Sequence, residues 1–280
     1  MKNANKIVQY VNNIIGDIMH NIKINDNLIR TDLLLEQKKS KIKTNESYYK
    51  GIKTVTTKDN SFNYTTIFFD DITDYSSSIN LEKVFSNELC KYLKLSDDDI
   101  IIIIGLGNEK STPDSLGPLT IDKIFPTRYL FELGDVEEGY TNVSIYKPDV
   151  IGNTGIESSS IIKSLIDEVN PTKIIIIDSL KANNIERLTK TIQITDSGIN
   201  PGSGINNSRG EISKKTLNKE VIAIGIPTVV DIKSLIDENM EESFIVTPTN
   251  IDFIIEKLST LLAKSLNKNL HKNYNRQINN

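Results

Sequence analysis

Residues 99–118 read DIIIIIGLGNEKSTPDSLGP: five isoleucines stopped by a glycine, then a loop carrying two prolines and an aspartate. An unbroken aliphatic run leaves no polar face, so it suits a strand covered on both sides, as in the middle of a parallel sheet. Working outward, 174–177 and 221–226 repeat the pattern, and helical spacing predicts helices near 118–131, 157–169 and 230–238. A last unit pairs FIVTP with a helix over 249–266. Strands alternating with helices imply right-handed βαβ units. The expected fold is α/β, with a mostly parallel central sheet flanked by helices and β-hairpin additions.

The additions lie upstream. Residues 51–70 alternate as a hairpin turning at Lys58, Asp59 and Asn60, and 79–95 place Leu81, Val84, Phe85, Leu89, Tyr92 and Leu93 on one helical face. Ile7, Val8, Val11, Ile14, Ile15, Ile18 and Met19 predict a short amphipathic helix over 7–19, followed by a polar link. The polar end, 273–280, reads as a frayed tail.

Composition removes several function classes. With 33 basic and 37 acidic residues the net charge is −4, which gives no footprint for nucleic acid, and the absence of Trp argues against a stacking platform. No run approaches the ~18 apolar residues of a membrane span, and the first twenty residues lack the core of a signal peptide. A single cysteine, Cys90, fits a reducing compartment, so a cytoplasmic location is expected. His20 and His271 are the only histidines, both near the ends, which leaves a His-based triad or a His/Cys zinc site without its parts. Gly105-Leu106-Gly107 fails as a dinucleotide loop because position 110 is Lys110, and no G-K-[ST] forms a P-loop.

Carboxylate chemistry remains. Open α/β sheets bind ligands beyond the carboxyl ends of their strands. Two strands deliver an aspartate there: Asp114 in the loop held by Pro113 and Pro118, and Asp178 directly after four isoleucines. Either residue alone reads as well as a helix N-cap or turn former. As a pair, burial and a like-charged neighbour would raise one pKa, so that one carboxylate activates water while the other donates a proton. Glu157 in PDVIGNTGIE, the Gly- and Asn-rich stretch 195–209, and Asp231 join the same edge as lesser candidates.

The stretches GLGNEKSTPDSLGP, VIGNTGIESS, IDSLKANNIERL, TIQITDSGINPGSG and VIAIGIPTVVD, in this order, resemble the spore germination protease family. RTDLLLE and IVTPTNIDFIIEKLSTLLAKSLNKNLH resemble its two ends, so the likeness spans about residues 28–272. It implies a fold similar to hydrogenase maturation peptidases and an aspartic-type endopeptidase that needs no cofactor, with Asp114 and Asp178 catalytic. The implied substrates are small acid-soluble spore proteins, degraded in the spore core during germination. The implied zymogen removes its own prosegment, residues 1–32, between Asp32 and Leu33, leaving a single peptidase domain over 33–272 and the tail. A homo-oligomer, a tetramer in the family, is expected, with no direct nucleic acid and no membrane partner. Arg128, Lys181, Arg187 and Arg209 are the candidates for reading acidic substrate residues, since Arg makes bidentate contacts; Glu157 and Asn200 line the same expected site. The chain departs from the family pattern in three places: a long insertion between PTVVD and IVTP is nearly absent, the prosegment is longer than usual, and Asn200 stands where a histidine is expected. A metal-dependent maturation-type peptidase and a non-catalytic relative that binds spore proteins are the alternatives.

Overall fold

The computed structural model describes residues 43–58, 62–182, 184–201, 210–231 and 244–272. The expected helix 7–19, the prosegment with its cleavage site at Asp32 and Leu33, the hairpin turn at Asp59 and Asn60, Arg209, most of the expected helix 230–238, and the tail lie outside those residues.

One sheet holds the nine strands found among the described residues. In chain order they are β1 (Lys43–Tyr49), β2 (Ile52–Lys58), β3 (Asn63–Phe68), β4 (Ile100–Gly105), β5 (Asn142–Tyr146), β6 (Lys173–Ala182), β7 (Thr191–Thr195), β8 (Glu220–Asp231) and β9 (Ile245–Val246). The helices are α1 (Tyr75–Leu93), α2 (Leu116–Ile121), α3 (Arg128–Leu133), α4 (Ile151–Thr154), α5 (Ser158–Val169), α6 (Lys214–Leu217) and α7 (Ile251–Leu270). Across the sheet the order is β1-β2-β3-β7-β8-β6-β4-β5, with β9 paired to β8.

The isoleucine-rich strands β4, β6 and β8, with β5 beside β4, make the parallel part and run side by side in one direction. The fold is therefore α/β as expected, and the sheet is mixed, because β1, β2, β3 and β7 extend it antiparallel. Both faces of the parallel part are covered. Ile101, Ile103, Ile175, Ile177, Ile222 and Ile224 pack against α1, α2 and α7. Ile102, Ile104, Ile174 and Ile176 pack against Ile162 and Ile166 of α5. Each such side chain stabilises by about 1.5–3 kcal/mol relative to exposure, which is why an aliphatic run of this kind sits only at the centre.

Four elements differ from the sequence reading. The helix expected over 118–131 is two helices, α2 and α3, because Pro126 cannot continue a helix and disfavours helical backbone at Phe125. Val230 and Asp231, expected to begin a helix, end β8 instead, where β6 and β9 supply their hydrogen-bonding partners. β1 was not expected, since its sequence KTNESYY has no apolar alternation; it is an edge strand paired only with β2 among the described residues. α1 begins a turn earlier than its apolar face suggests, because the Asp74 carboxylate accepts the Ser77 N–H at 2.7 Å and caps it.

The amino ends of β4 and β6 are tied by charge. Lys173 Nζ lies 2.6 and 2.7 Å from the two carboxylate oxygens of Asp99, with both residues buried. Burial works against ionisation of Asp99, but Lys173, the Ser96 N–H and Thr172 together hold its pKa below the usual carboxylate value. No described helix is long and apolar enough to cross a membrane.

Candidate active site

β4 lies between β5 and β6, and the chain leaves it by way of α2 towards β5. It leaves β6 towards the other side, where β8 lies. The loops at the carboxyl ends of β4 and β6 thus part in opposite directions, and the gap between them is the topological switch point of the sheet. Asp114 and Asp178 come from these two strands.

The loop after β4 is folded tightly on itself. Leu106 N–H donates to Ile177 O at 2.8 Å and Asn108 N–H to Asp114 O at 3.0 Å. Two glycines make this close approach practicable. Gly107 has φ +121°, and a Cβ there would stand 2.0 Å from Asp114 O. A Cβ at Gly117 would stand 2.2 Å from Leu106 O and 2.7 Å from Ile177 O. Pro113 then starts a single 3-10 turn, Thr112–Asp114, which ends on the aspartate. That turn lies against β6, β8 and α7, so the backbone carrying Asp114 is a neighbour of the strand carrying Asp178. Asp178 is 7% exposed, and its Oδ1 accepts the N–H of Ser179 at 2.9 Å. Asp114 is half-buried.

A second loop is stitched to the first. Asn153 Nδ2 donates to Asn108 Oδ1 at 3.1 Å and to Asp149 Oδ1 at 2.9 Å, and Asn108 Oδ1 also accepts the Lys110 N–H. Asn153, the Val150 N–H and nearby Lys110 hold the Asp149 carboxyl below its ordinary pKa, against a smaller opposing effect of burial. Lys147 pairs with Glu109 and lies 2.8 Å from Asp122, bracing the loop from its outer side. Sequence reading passed over Asn108, Asn153 and Asp149, although their stretches were singled out. The signal lies in a contact across 45 positions, which no local pattern carries.

The other sequence candidates separate. Glu157 is the N-cap residue of α5, and its Oε1 accepts the Gly210 N–H at 3.3 Å. Lys181 and Asp231, at the ends of β6 and β8, form an ion pair of 2.9 Å. Arg187 sits in the turn between β6 and β7 and stacks 5.8 Å from the Phe68 ring centre. Asn200 follows Ile199, which bridges Ile212 on the α5 face. Arg128 lies at the opposite edge. It pairs with Glu132 at 3.0 Å and reaches Val169 O, just before β6 begins, so it is not brought to the two aspartates.

Fold and edge together define a class: an α/β protein with an aspartate beyond each of the two strands that flank the switch point. A model of the germination protease family matches residues 19–242. The germination protease of Priestia megaterium is 49% identical over 181 residues, covering 63% of this chain and 46% of that protein. That of Geobacillus sp. is 42% identical over 201 residues, covering 69% and 51%. The chain belongs to the germination protease family. It spans about half the length of the curated relatives it matches. A solved hydrogenase maturation protease from Thermococcus kodakarensis shares 18% identity over 64% of this chain and 98% of its own, with a TM-score of 0.39.

Proposed function

We propose that this chain is an aspartic-type endopeptidase that opens the degradation of small acid-soluble spore proteins during germination, with Asp114 and Asp178 as its catalytic carboxylates. The observation that carries the reading is the packing of the Asp114 turn against β6, the strand of Asp178, at the switch point. Two carboxyl groups held near one another ionise in separate steps. The ionised one takes a proton from water as its oxygen attacks the peptide carbonyl. The protonated one first hydrogen-bonds the carbonyl oxygen and then returns a proton to the leaving amine as the C–N bond breaks. Water is consumed and the pair recovers its single proton, so the cycle needs no cofactor.

The same reading takes residues 1–32 as a prosegment cut between Asp32 and Leu33, residues 33–272 as the peptidase domain, and the spore core as its location. Lys181, Arg187, Arg209, Glu157 and Asn200 stay with the substrate-binding side of the proposal, and Arg128 is set aside by its placement. A homo-oligomer belongs to the same proposal.

The test is intact-mass analysis of full-length protein held at mildly acidic pH, alone and with a peptide carrying Thr-Asp-Leu-Leu-Leu-Glu. The expected result is cleavage by the wild type, and a rate ~10³-fold lower in Asp178→Asn and in Asp114→Asn with melting temperature retained. Full activity in either variant would sink the two-aspartate reading. Activity lost to a chelator would favour the metal-dependent alternative, and binding without cleavage the non-catalytic one.

A further inference from the structure

α1 and α7 lie side by side and run the same way. Glu82 pairs with Lys264 at 2.8 Å, and a turn further on Ser86 Oγ accepts a hydrogen bond from Asn269 Nδ2 at 2.8 Å. Their inner faces join the core, and between their outer faces lies a groove of about 670 Å³. Tyr75, Ile79, Glu82 and Lys83 line it from α1 at helical spacing. Lys257, Leu261, Lys264 and Lys268 do the same from α7. From Lys257 to Lys268 the groove runs for about 17 Å, three turns of helix.

The lining combines apolar surface with positive charge. Leu261 is buried, whereas Ile79 is 49% and Tyr75 79% exposed. Four lysines stand against one carboxylate, Glu82, on a chain whose net charge is −4. Burial works against ionisation of Glu82, but Lys264 and Lys268 together hold its pKa below the usual value. Lys83 and Lys257 have no carboxylate partner among the described residues. They lie over the rings of Tyr49 and Phe253, at 5.4 and 5.2 Å, contacts that leave their charge in place. The neighbouring acids are already engaged: Glu256 by Lys123, Glu88 by Lys91, and Asp74 as the cap of α1. The groove therefore carries a positive surplus beside exposed apolar side chains. None of its lining residues belongs to the candidate active site.

We propose that this groove is a docking site for an acidic amphipathic helix of a partner protein, about three turns long, laid along α1 and α7. Its apolar stripe would cover Ile79 and Tyr75, and its carboxylates would meet Lys83, Lys257, Lys264 and Lys268, whose spacing along the two helices repeats at the intervals of a third. Charge selects this occupant. Residues 1–42 carry more basic than acidic side chains, so they do not complement a lysine-lined groove. The proposal is independent of the two-aspartate reading.

The experiment titrates the full chain into a fluorescein-labelled peptide at low salt and follows anisotropy. The probe has about 14 residues, with Leu at every third or fourth position and Glu between, to match the groove's length as a helix. Saturable binding is expected, weakened ~tenfold or more in the double variant Lys83→Glu with Lys257→Glu and by raising the salt. Those two lysines hold no carboxylate, so the reversal breaks no ion pair. If it nevertheless lowers the melting temperature, Lys83→Ser with Lys257→Ser carries the test, with a loss of roughly threefold expected. A peptide of the same composition with its leucines shuffled off the stripe should bind ~tenfold more weakly. No saturable binding, equal binding by the double variant, or equal binding of the shuffled peptide overturns the proposal. A deoxythymidine oligonucleotide that binds more tightly than the peptide, and is lost in the same variant, would give the groove to nucleic acid instead. Self-association of the wild type that disappears in the variant would give it to a second copy, and cross-links from Lys83 or Lys257 to the lysines of residues 1–42 to the chain's own N-terminal segment. Cleavage of the Thr-Asp-Leu-Leu-Leu-Glu peptide should be unchanged in these variants, and its absence from the wild type would count against the peptidase reading alone.

Discussion

Gly107 shows how much a single residue decides in this molecule. Its φ of +121° and the 2.0 Å between a hypothetical Cβ and Asp114 O leave no room for any side chain. Gly107→Ala should therefore move the Asp114 turn, at a cost of about 2 kcal/mol or more. Peptide cleavage should fall further than the stability loss accounts for, because the displaced group is one of the two carboxylates proposed as catalytic. Urea titration alongside cleavage rates checks this, and wild-type values in both would show that the loop relaxes freely. Asp114 and Asp178 were picked out in the sequence because each lies beyond an aliphatic run, where a carboxylate reads as well as a cap or turn former. Asn153 and Asn108 were not, since an asparagine in a glycine-containing loop looks the same whether it forms a turn or ties two loops.

At the scale of elements, the loops at the switch point act as a unit through Asn153, which spans Asn108 and Asp149. Asn153→Ala removes both hydrogen bonds without touching either catalytic candidate. Exposed bonds of this kind contribute about 1 kcal/mol each, so stability should change little. The looser loop should cut cleavage by roughly tenfold, since small misplacements of reacting groups are costly. An unchanged rate would mean that Lys147 and the glycines hold the loop alone. β6 and β8 run further than their aliphatic stretches predict. Charges at Lys181 and Asp231 look like strand ends in a sequence, yet each charge satisfies the other inside the sheet. The helix expected over 118–131 failed for a local reason that was present in the sequence, Pro126, and was outweighed by apolar spacing on either side of it.

At the scale of the whole molecule, the long helix α7 ends on the cap residue His271. His271 is 1% exposed, stacked among Phe125 and Tyr140, and its Nε2 lies 3.1 Å from Phe125 O. Burial lowers its pKa from the ordinary 6.5, and the bond to Phe125 offsets only part of that. The folded pKa lies below the unfolded one, so the unfolded chain takes up the proton first as pH falls. Stability is complete above pH 6.5 and declines from there down to the folded pKa. Denaturant midpoints measured from pH 8 to pH 5 should show this fall, and His271→Phe should lessen it. A variant with the same slope would place the proton uptake elsewhere.

The sequence by itself determined the α/β class, the central place of the isoleucine strands and the family, because hydrophobic periodicity and motif order are local properties of the chain. Tertiary structure alone decided that four parallel strands continue into an antiparallel extension, that Arg128 lies at the far edge, and that Lys181 meets Asp231. Those outcomes depend on strand order and register, and one extra residue in β8 is enough to turn a side chain from one face of the sheet to the other.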